Sequence, residues 1–369
     1  MKVLSVFGTR PEAIKMCPLA LELARTDGIE ARVAVTGQHR SMLDQVLAIF
    51  GVVPDYDLAI MRPRQSITTI TTSVLEGMEP VLKDFAPEVV LVHGDTTTSM
   101  AAAMAAFYRQ IPVGHVEAGL RTYNIYSPFP EEMNRRLITA LTTYFFAPTA
   151  GNRAALAREG VRDDVFVTGN TVIDAFRYTV RDGYAFKDAT LAAHDFAAPT
   201  ILLTAHRREN LGRPLANICQ AVRSLVQTHP DLSVIYPVHL NPAVRETVWP
   251  ILGDCRRVSL IDPVDVEDMH NAINRCVLVL TDSGGLQEEA PHLGKPVVVL
   301  RTETERPEAV EAGTAVVVGV ETEAIVAFVD RLLSDAALYA QMSTAINHYG
   351  DGHASERIAA ILSQRFTAT

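Results

Sequence analysis

Short apolar runs alternate with helix-like segments along this chain, and no other feature limits its possible folds as strongly. The strand-like runs fall at residues 3–7, 31–36, 89–93, 111–116, 145–148, 200–204, 233–237, 258–261, 277–281, 296–300 and 315–318. Segments with helical periodicity separate most of these runs. Alternation of this kind is typical of parallel sheets covered by helices. The sequence therefore predicts an α/β protein with two Rossmann-like domains facing each other across a cleft.

The length of the chain supports two domains. A chain of 369 residues is too long for one ordinary hydrophobic core. The strand–helix pattern weakens after residue 169, and a polar stretch follows at residues 181–198. We therefore expect the boundary between the domains in this region. A last amphipathic segment, residues 355–366, predicts a C-terminal helix.

Composition limits the class of protein and its partners. Hydrophobic residues make up 48% of the chain and charged residues 21%, as in ordinary globular proteins. A net charge of -10 argues against a nucleic-acid or anionic-membrane partner. The four cysteines are widely spaced, which favours a reducing compartment over disulfides or a zinc site. No signal peptide and no run of membrane-spanning length is recognisable, so we expect a cytoplasmic protein without membrane insertion.

Two glycine-containing turns, one in each half, predict anion sites at helix starts. Residues 8–12 (Gly-Thr-Arg-Pro-Glu) join the first strand to a helix. They put Arg10 at a helix N-terminus, where a cation is disfavoured unless an anion is present. Lys15 lies on the next turn. In the second half, the Ser283-Gly284-Gly285 turn would let backbone N–H groups approach a phosphate closely.

Acidic side chains recur at strand ends and helix starts. Asp95 follows the run at residues 89–93, and Glu117 follows the run at residues 111–116. Glu131 begins a predicted helix after a loop that contains prolines. Acidic residues in a first helical turn often do no more than complement the helix dipole. Their recurrence at the edge where open α/β sheets bind ligands favours a functional site.

A basic cluster completes the pattern in the second half. His206 and Arg207 follow the run at residues 200–204, and burying such a cluster unpaired would be costly, which favours a polyanion site. Glu289 fits a ribose contact and a solvated helix face equally well. Metal-ligand spacing and a Gly-x-Ser-x-Gly motif are missing, so we expect neither a metal site nor a serine nucleophile. Spacing alone thus predicts a two-domain α/β enzyme that binds a nucleotide.

Several motifs together resemble the non-hydrolysing UDP-N-acetylglucosamine 2-epimerases. They are residues 8–12, 93–98, 115–121, 127–135, 204–210, 281–291, 295–296, 304–308 and 350–357. The resemblance covers essentially the whole chain in order. It implies a glycosyltransferase-B-like fold whose C-terminal helix crosses back to the N-terminal domain. The N-terminal domain is then expected at residues 1–170 plus 353–369, and a UDP-binding C-terminal domain at residues 171–352.

The resemblance also implies a reaction, the interconversion of UDP-N-acetylglucosamine and UDP-N-acetylmannosamine. A homodimer without a metal or nicotinamide cofactor is expected to carry it out. Because the C2–H bond of the sugar is poorly acidic, the expected route eliminates UDP from C1 as C2 loses its proton. UDP then adds back to the resulting 2-acetamidoglucal while a proton arrives on the other face. This route needs positioned acid–base groups and stabilisation of the departing diphosphate.

The resemblance assigns roles to particular residues. The acid–base set near the sugar is Asp95, Glu117 and Glu131, and His206 is the catalytic residue at the diphosphate. Further substrate contacts are Arg10, Lys15, Ser283, Gly284, Gly285, Glu289 and Arg306. A second, activating sugar nucleotide is implied for Gln38, His39, Arg64, Arg207 and His239.

Three other functions remain open from the sequence. A hydrolysing epimerase would release UDP and free N-acetylmannosamine by similar chemistry. A glycosyltransferase on the same fold would replace the returning UDP by an acceptor. A sugar-nucleotide sensor would bind without reaction, but the presence of all three carboxylates and His206 disfavours it.

Overall fold

The computed structural model describes residues 1–37, 40–62, 65–304 and 306–367. Its packing divides the chain into two compact units. Unit 1 is Met1–Tyr178 with Tyr349–Thr369, and unit 2 is Thr179–His348. The expected domain limits, 1–170 with 353–369 and 171–352, stay a prediction, because dense packing does not show which residues fold independently.

Unit 1 is built on a parallel sheet. Its strands are β1 (Lys2–Phe7), β2 (Glu30–Val35), β3 (Tyr56–Asp57), β4 (Val89–His93), β5 (Val113–Val116), β6 (Tyr144–Ala147) and β7 (Val165–Val167). They are ordered β3-β2-β1-β4-β5-β6-β7, and all the recorded pairs are parallel. The chain adds strands outward from β1 on one side and then from β4 on the other. The strand order therefore switches between β1 and β4.

Helices cover both faces of this sheet. They are α1 (Arg10–Arg25), α2 (Arg40–Phe50), α3 (Ile67–Phe85), α4 (Thr97–Tyr108), α5 (Glu131–Leu141), α6 (Ala150–Arg158) and α7 (Thr171–Thr179). Alternate residues of β1 enter two separate apolar clusters, with Val3 and Phe7 in one and Leu4 and Val6 in the other. Both faces of β1 are thus buried, as a parallel sheet between helix layers requires.

Side-chain caps explain where several helices begin. Ser66 accepts a hydrogen bond from the Thr69 backbone N–H (3.1 Å) at the start of α3. Thr96 accepts from the Ser99 N–H (3.1 Å) at the start of α4. A hydroxyl that accepts from the third helical N–H satisfies a donor that the helix itself leaves unpaired. The start of α4, which follows directly on the end of β4, is thereby held in place.

Unit 2 repeats the architecture on a second parallel sheet. Its strands are β8 (Thr200–Thr204), β9 (Ser233–Pro237), β10 (Val258–Ile261), β11 (Leu278–Thr281), β12 (Val297–Val299) and β13 (Ala315–Val317). Their order is β10-β9-β8-β11-β12-β13. The switch point of this sheet lies between β8 and β11. The predicted fold class of two parallel-sheet Rossmann-like units is confirmed.

The helices of unit 2 pack around a shared apolar core. They are α8 (Ala189–Ala193), α9 (Arg213–Thr228), α10 (Pro242–Leu252), α11 (Val266–Arg275), α12 (Gly284–Glu289), α13 (Pro307–Glu311), α14 (Thr322–Ser334) and α15 (Ala336–Thr344), with 3₁₀ turns at Arg208–Asn210 and Ala290–Leu293. The largest fully buried side chain of the unit is Tyr236 on β9. Its hydroxyl donates to the Ala205 carbonyl (2.6 Å), so the end of β8 is tied to the core.

The last helix, α16 (Ala354–Thr367), belongs to unit 1. It packs against α1. Its residues Ile358, Ala359 and Leu362 are buried in the apolar cluster that also contains Phe7. Residues near the two ends of the sequence thus share one core. Among the described residues, no helix combines the length and the apolar character needed to cross a bilayer.

Candidate active site

The loops at both switch points carry most of the residues singled out from the sequence. In unit 1, residues 8–10 follow β1 and residues 94–96 follow β4. In unit 2, residues 205–207 follow β8 and residues 282–283 follow β11. Ligands of open α/β sheets bind beyond the carboxyl ends of the strands at the switch point. Each unit therefore has its polar residues where a ligand is expected.

A buried carboxylate, Glu12, holds the unit 1 loops together. It accepts hydrogen bonds from the backbone N–H groups of Gly8 (3.0 Å) and Thr9 (2.8 Å). It also accepts from the hydroxyls of Thr96 (2.7 Å) and Ser99 (2.9 Å) at the start of α4. Burial raises the pKa of Glu12, and these four hydrogen bonds oppose that rise. The loop after β1 and the loop after β4 therefore form one rigid structure.

The backbone at Gly8 leaves no space for a side chain. A Cβ atom there would lie 2.0 Å from Thr36 Oγ1 and 2.7 Å from Thr98 Oγ1. The backbone of β1 therefore approaches its neighbours closely before it turns into α1. Arg10, a predicted substrate contact, is the first residue of this helix and is half-buried.

Glu117 stands directly after β5 with a left-handed backbone, φ 64°. Such a conformation is costly for a residue with a side chain and clusters at functional sites. Its carboxylate pairs with the Lys15 ammonium and accepts from the Asn170 amide (2.9 Å). The His93 Nε2 atom lies 3.7 Å away. The predicted substrate contact Lys15 and the predicted acid–base residue Glu117 are thus direct partners.

Two buried imidazoles lie beneath this carboxylate. Burial lowers the pKa of His93 to about 3 and the pKa of His115 to about 4. Both rings are therefore neutral at physiological pH. His115 Nε2–H donates to the Gly94 carbonyl (2.7 Å), which braces the turn before Asp95. His93 Nε2 is buried without a hydrogen-bond partner.

Asp95 is connected to α5. Its carboxylate accepts from the Arg135 guanidinium (2.6 Å), and its backbone carbonyl accepts from the Asn134 amide (2.9 Å). β4 and β5 are adjacent, with His93 opposite Val116. Asp95 and Glu117 therefore follow neighbouring strands at one edge of the sheet.

Glu131 and Glu132, adjacent at the start of α5, have different surroundings. Glu131 Oε2 is buried and has no hydrogen-bond partner within the described part of the chain. The Glu132 carboxylate accepts from the backbone N–H groups of Thr122 (2.9 Å) and Tyr123 (3.1 Å) and from Arg135 (3.2 Å). Burial alone would raise the pKa of Glu132, but these partners together hold it below its usual value. Of these two neighbours, Glu131 is therefore the one with a buried oxygen that has no partner among the described residues.

A second buried carboxylate, Asp282, organises the unit 2 loops. It has no exposed surface. It accepts from the backbone N–H groups of His206 (2.8 Å) and Arg207 (2.8 Å) and from the Asn210 amide (3.0 Å). The loop after β8 is therefore tied to the loop after β11. No role for Asp282 was predicted from the sequence, although it directly precedes the Ser283-Gly284-Gly285 turn.

His206 stacks on His239. Their ring centroids are 5.1 Å apart and the rings are inclined by 10°. His206 Nδ1 lies 3.9 Å from Asp282 Oδ1. Desolvation lowers the pKa of His206, Asp282 opposes this effect, and the nearby His239 and Arg207 add to it. The lowered pKa favours a neutral imidazole until an anion binds beside it.

Two guanidinium groups lie over the turn that begins α12. The position that a Cβ atom would occupy at Gly284 is 3.6 Å from Arg207 Nη2 and 3.7 Å from Arg306 Nη2. Arg306 also pairs with the buried Glu288 carboxylate. Paired cations beside the first turn of a helix favour a diphosphate. Arg207, expected at an activator site, therefore shares this turn with Arg306.

The remaining predicted contacts occupy the same end of unit 2. Ser283 donates its backbone N–H to Thr281 Oγ1 (2.9 Å), and Gly285 follows Gly284 in the first turn of α12. Glu289 Oε2 lies 3.4 Å from His270 Nε2. Its carboxylate is thus paired rather than part of a purely solvated face. Gln38, His39 and Arg64 lie outside the described residues, so a second nucleotide site stays a prediction.

Comparison with known proteins identifies the family. The family model described as UDP-N-acetylglucosamine 2-epimerase matches residues 21–363. The UDP-N-acetylglucosamine 2-epimerase of Escherichia coli K12 is 56% identical over 366 residues, covering 97% of this chain and 97% of its own. The Bacillus subtilis 168 enzyme of the same name is 54% identical over 359 residues, covering 97% and 94%. The Neisseria meningitidis UDP-GlcNAc 2-epimerase, solved bound to UDP-GlcNAc, superposes with a TM-score of 0.90 at 48% identity, covering 99% of this chain and 100% of its own. With both switch-point loops and the full length of the chain in agreement, the protein belongs to the UDP-N-acetylglucosamine 2-epimerase family.

Proposed function

We propose that this protein interconverts UDP-N-acetylglucosamine and UDP-N-acetylmannosamine by inverting C2 of the sugar. The observation that carries the proposal is the carboxylate set of unit 1. Asp95 and Glu117 follow adjacent strands, and Glu131 has a buried oxygen for which the described residues supply no hydrogen-bond partner. The Neisseria meningitidis relative, solved with UDP-GlcNAc bound, supports the same substrate for this chain.

The proposed route is an elimination followed by an addition. A carboxylate takes the C2 proton, the C2–H electron pair forms the C1–C2 double bond, and the C1–O bond breaks with its pair leaving on UDP. The intermediate is 2-acetamidoglucal. UDP then attacks C1 while a proton is delivered to C2 from the opposite face. Nothing is consumed, so the reaction is reversible and needs no external oxidant, water or cofactor.

Each unit contributes a different part of this chemistry. Asp95, Glu117 and Glu131 supply positioned proton donors and acceptors, which commonly contribute about 10²–10⁴-fold to a rate. His206 and Arg306 stabilise the charge that grows on the diphosphate as the C1–O bond breaks. The proposal thus assigns proton transfer to carboxylates of unit 1 and stabilisation of the diphosphate to cations of unit 2.

The remaining assignments complete the proposal. Arg10, the Ser283-Gly284-Gly285 turn and Lys15 contact UDP, with Lys15 also holding Glu117. Glu289 accepts from the ribose hydroxyls. The protein acts as a homodimer in the cytoplasm and returns UDP to the sugar rather than releasing it. A second UDP-N-acetylglucosamine activates the enzyme through a set that includes Arg207 and His239.

The decisive experiment is incubation of the protein with UDP-N-acetylglucosamine alone in D₂O, followed by NMR. We expect UDP-N-acetylmannosamine that carries deuterium at C2, because the abstracted proton exchanges with solvent before it returns. Free N-acetylmannosamine with UDP would indicate a hydrolysing enzyme. A requirement for an acceptor would indicate a transferase, and binding without product would indicate a sensor. Product with only protium at C2 would contradict the open elimination route.

Replacing His206 by alanine tests the diphosphate assignment. Because charge on the diphosphate grows towards the transition state, turnover should fall by about 10²–10³-fold. The Kd for UDP should rise by less than about tenfold, since the ground state loses only one hydrogen bond. Steady-state kinetics and calorimetry measure the two quantities.

His229→Ala is the matched control for this substitution. His229 also belongs to unit 2 and pairs with Asp330 (2.7 Å), but it follows α9 at the opposite edge of the sheet. We expect it to leave both turnover and UDP affinity unchanged. Equal losses of turnover and UDP affinity in His206→Ala would mean that this ring merely binds.

A further inference from the structure

Asn170 forms hydrogen bonds to three separate segments of unit 1. It is 2% exposed and lies between β7 and α7. Its side-chain Oδ1 accepts from the Val172 N–H (3.1 Å) and so caps α7. Its side-chain Nδ2 donates to Glu117 Oε2 (2.9 Å). Its backbone N–H donates to the Tyr349 carbonyl (2.6 Å).

Tyr349 is where the chain returns to unit 1 after unit 2. The outgoing and returning segments touch here through two glycines. A Cβ atom at Gly169 would lie 3.3 Å from Gly350 Cα, and one at Gly350 would lie 3.4 Å from Gly169 Cα. Asp174 on α7 adds a second tie, because it accepts from the N–H groups of Ala354 (3.2 Å) and Ser355 (2.7 Å). The segments that lead out of and back into unit 1 are therefore joined beside Asn170.

The Asn170 amide orients the Glu117 carboxylate more strongly than the Lys15 ammonium does. Lys15 presents a rotatable ammonium, which attracts a carboxylate without selecting its orientation. The His93 ring nitrogen, at 3.7 Å, is beyond hydrogen-bond distance. The Asn170 side chain cannot rotate freely, because its oxygen is engaged by the α7 cap. The orientation of Glu117 Oε2 is thus set by the Asn170 Nδ2 group, because the Oδ1 atom of the same amide is fixed at α7.

We propose that Asn170 is a positioning residue for Glu117. It fixes the orientation of one carboxylate oxygen, and it links that oxygen to the paired segments that lead out of and back into unit 1. The inference rests on the proposed function, in which Glu117 acts on the sugar. It adds a residue that does not itself touch the substrate. The Asn amide divides the two tasks between two atoms, because Oδ1 accepts at α7 while Nδ2 donates to the carboxylate.

Two substitutions distinguish the orientation of Glu117 by Asn170 from the capping of α7 by the same residue. Asn170→Ser and Asn170→Asp both keep a side-chain oxygen that can cap α7, and both remove the amide Nδ2 that donates to Glu117. Loss of a hydrogen bond to a charged group should lower kcat by about 10–100-fold with KM changed by less than about twofold. In Asn170→Asp the added carboxylate should also raise the pKa of Glu117, because a second negative charge disfavours its ionised form. The other groups that face Glu117 are the Lys15 ammonium from α1 and the neutral His93 ring from β4.

The titration of Glu117 gives a measurement that capping alone would not change. Glutamate labelled with ¹³C at the carboxyl group, assigned with Glu117→Gln, reports protonation of this residue in the intact protein by NMR. Its midpoint should move to higher pH in Asn170→Asp. This result is independent of turnover, so it tests the contact even if the unmodified protein forms no epimer and the proposed function fails.

Asp174→Asn is the matched control. It is equally buried on α7 and ties the same returning segment, but its recorded hydrogen bonds go to α16 and not to Glu117. We expect a lower Tm with an unchanged Glu117 titration and an unchanged pH profile of kcat. Wild-type kcat and titration in both Asn170 variants would overturn the proposal. Equal effects of Asp174→Asn on kcat would overturn it as well, because they would reveal a general structural role.

Discussion

Glu131→Gln is expected to lower turnover by about 10²–10⁴-fold, the usual contribution of a positioned acid–base group. The glutamine side chain has nearly the same shape, and Glu131 Oε2 has no hydrogen-bond partner to lose. Folding should therefore be unaffected. Steady-state kinetics with UDP-N-acetylglucosamine and a thermal melt of the same preparation give the two quantities.

Glu132→Gln is the control, because it makes the same chemical change one residue later. The Glu132 carboxylate is fully buried and accepts from Thr122, Tyr123 and Arg135. Breaking one partner of a buried charge pair costs about 3–5 kcal/mol, so here the free energy of unfolding should fall. If Glu131→Gln destabilised the fold and kept its rate, the roles of the two residues would be reversed.

Asp282→Ala should produce the largest loss of stability in unit 2. It would leave the backbone N–H groups of His206 and Arg207 and the Asn210 amide without their acceptor. A buried donor left unsatisfied costs about 1–3 kcal/mol. Because two of these three donors are only partly buried, the free energy of unfolding should fall by about 3–6 kcal/mol. UDP affinity should fall too, because the loop after β8 loses its attachment. Denaturant unfolding and calorimetry measure these effects.

Asp254→Ala controls for removal of a carboxylate from the same unit. Asp254 pairs with Arg223, but its side chain is 67% exposed. An exposed pair contributes about 0–1 kcal/mol, so stability should change little and UDP affinity should not change. Similar unfolding curves for Asp254→Ala and Asp282→Ala would show that the buried contacts of Asp282 are weak.

The central strands and their polar ends were predictable because each carries a strong local signal. The run of apolar residues in β4, which ends at His93, indicates a buried strand whose end lies just before Asp95. In contrast, β3 and β7 have two and three residues, so a period of two residues cannot be recognised in them.

The supporting residues of the site could not be predicted, because their partners are distant in the chain. Asn170 contacts Glu117 across 53 positions, and Asp282 contacts the His206 backbone across 76. Local spacing holds no information on such pairs. The Gly169-Asn170 step after a short apolar run is the one signal that indicates a special turn. The role of Asp282 requires the order of the strands, which places β8 beside β11.

The position of α16 in unit 1 has a consequence for folding during synthesis. The ribosome makes α1 early, yet Ile358 and Leu362, which share its apolar cluster, follow only after all of Thr179–His348 has been made. Until then that face of unit 1 remains exposed to water and to other nascent chains. Closing so long a loop is also entropically unfavourable while unit 2 is unfolded. We therefore infer that unit 2 folds first and that α16 closes unit 1 last.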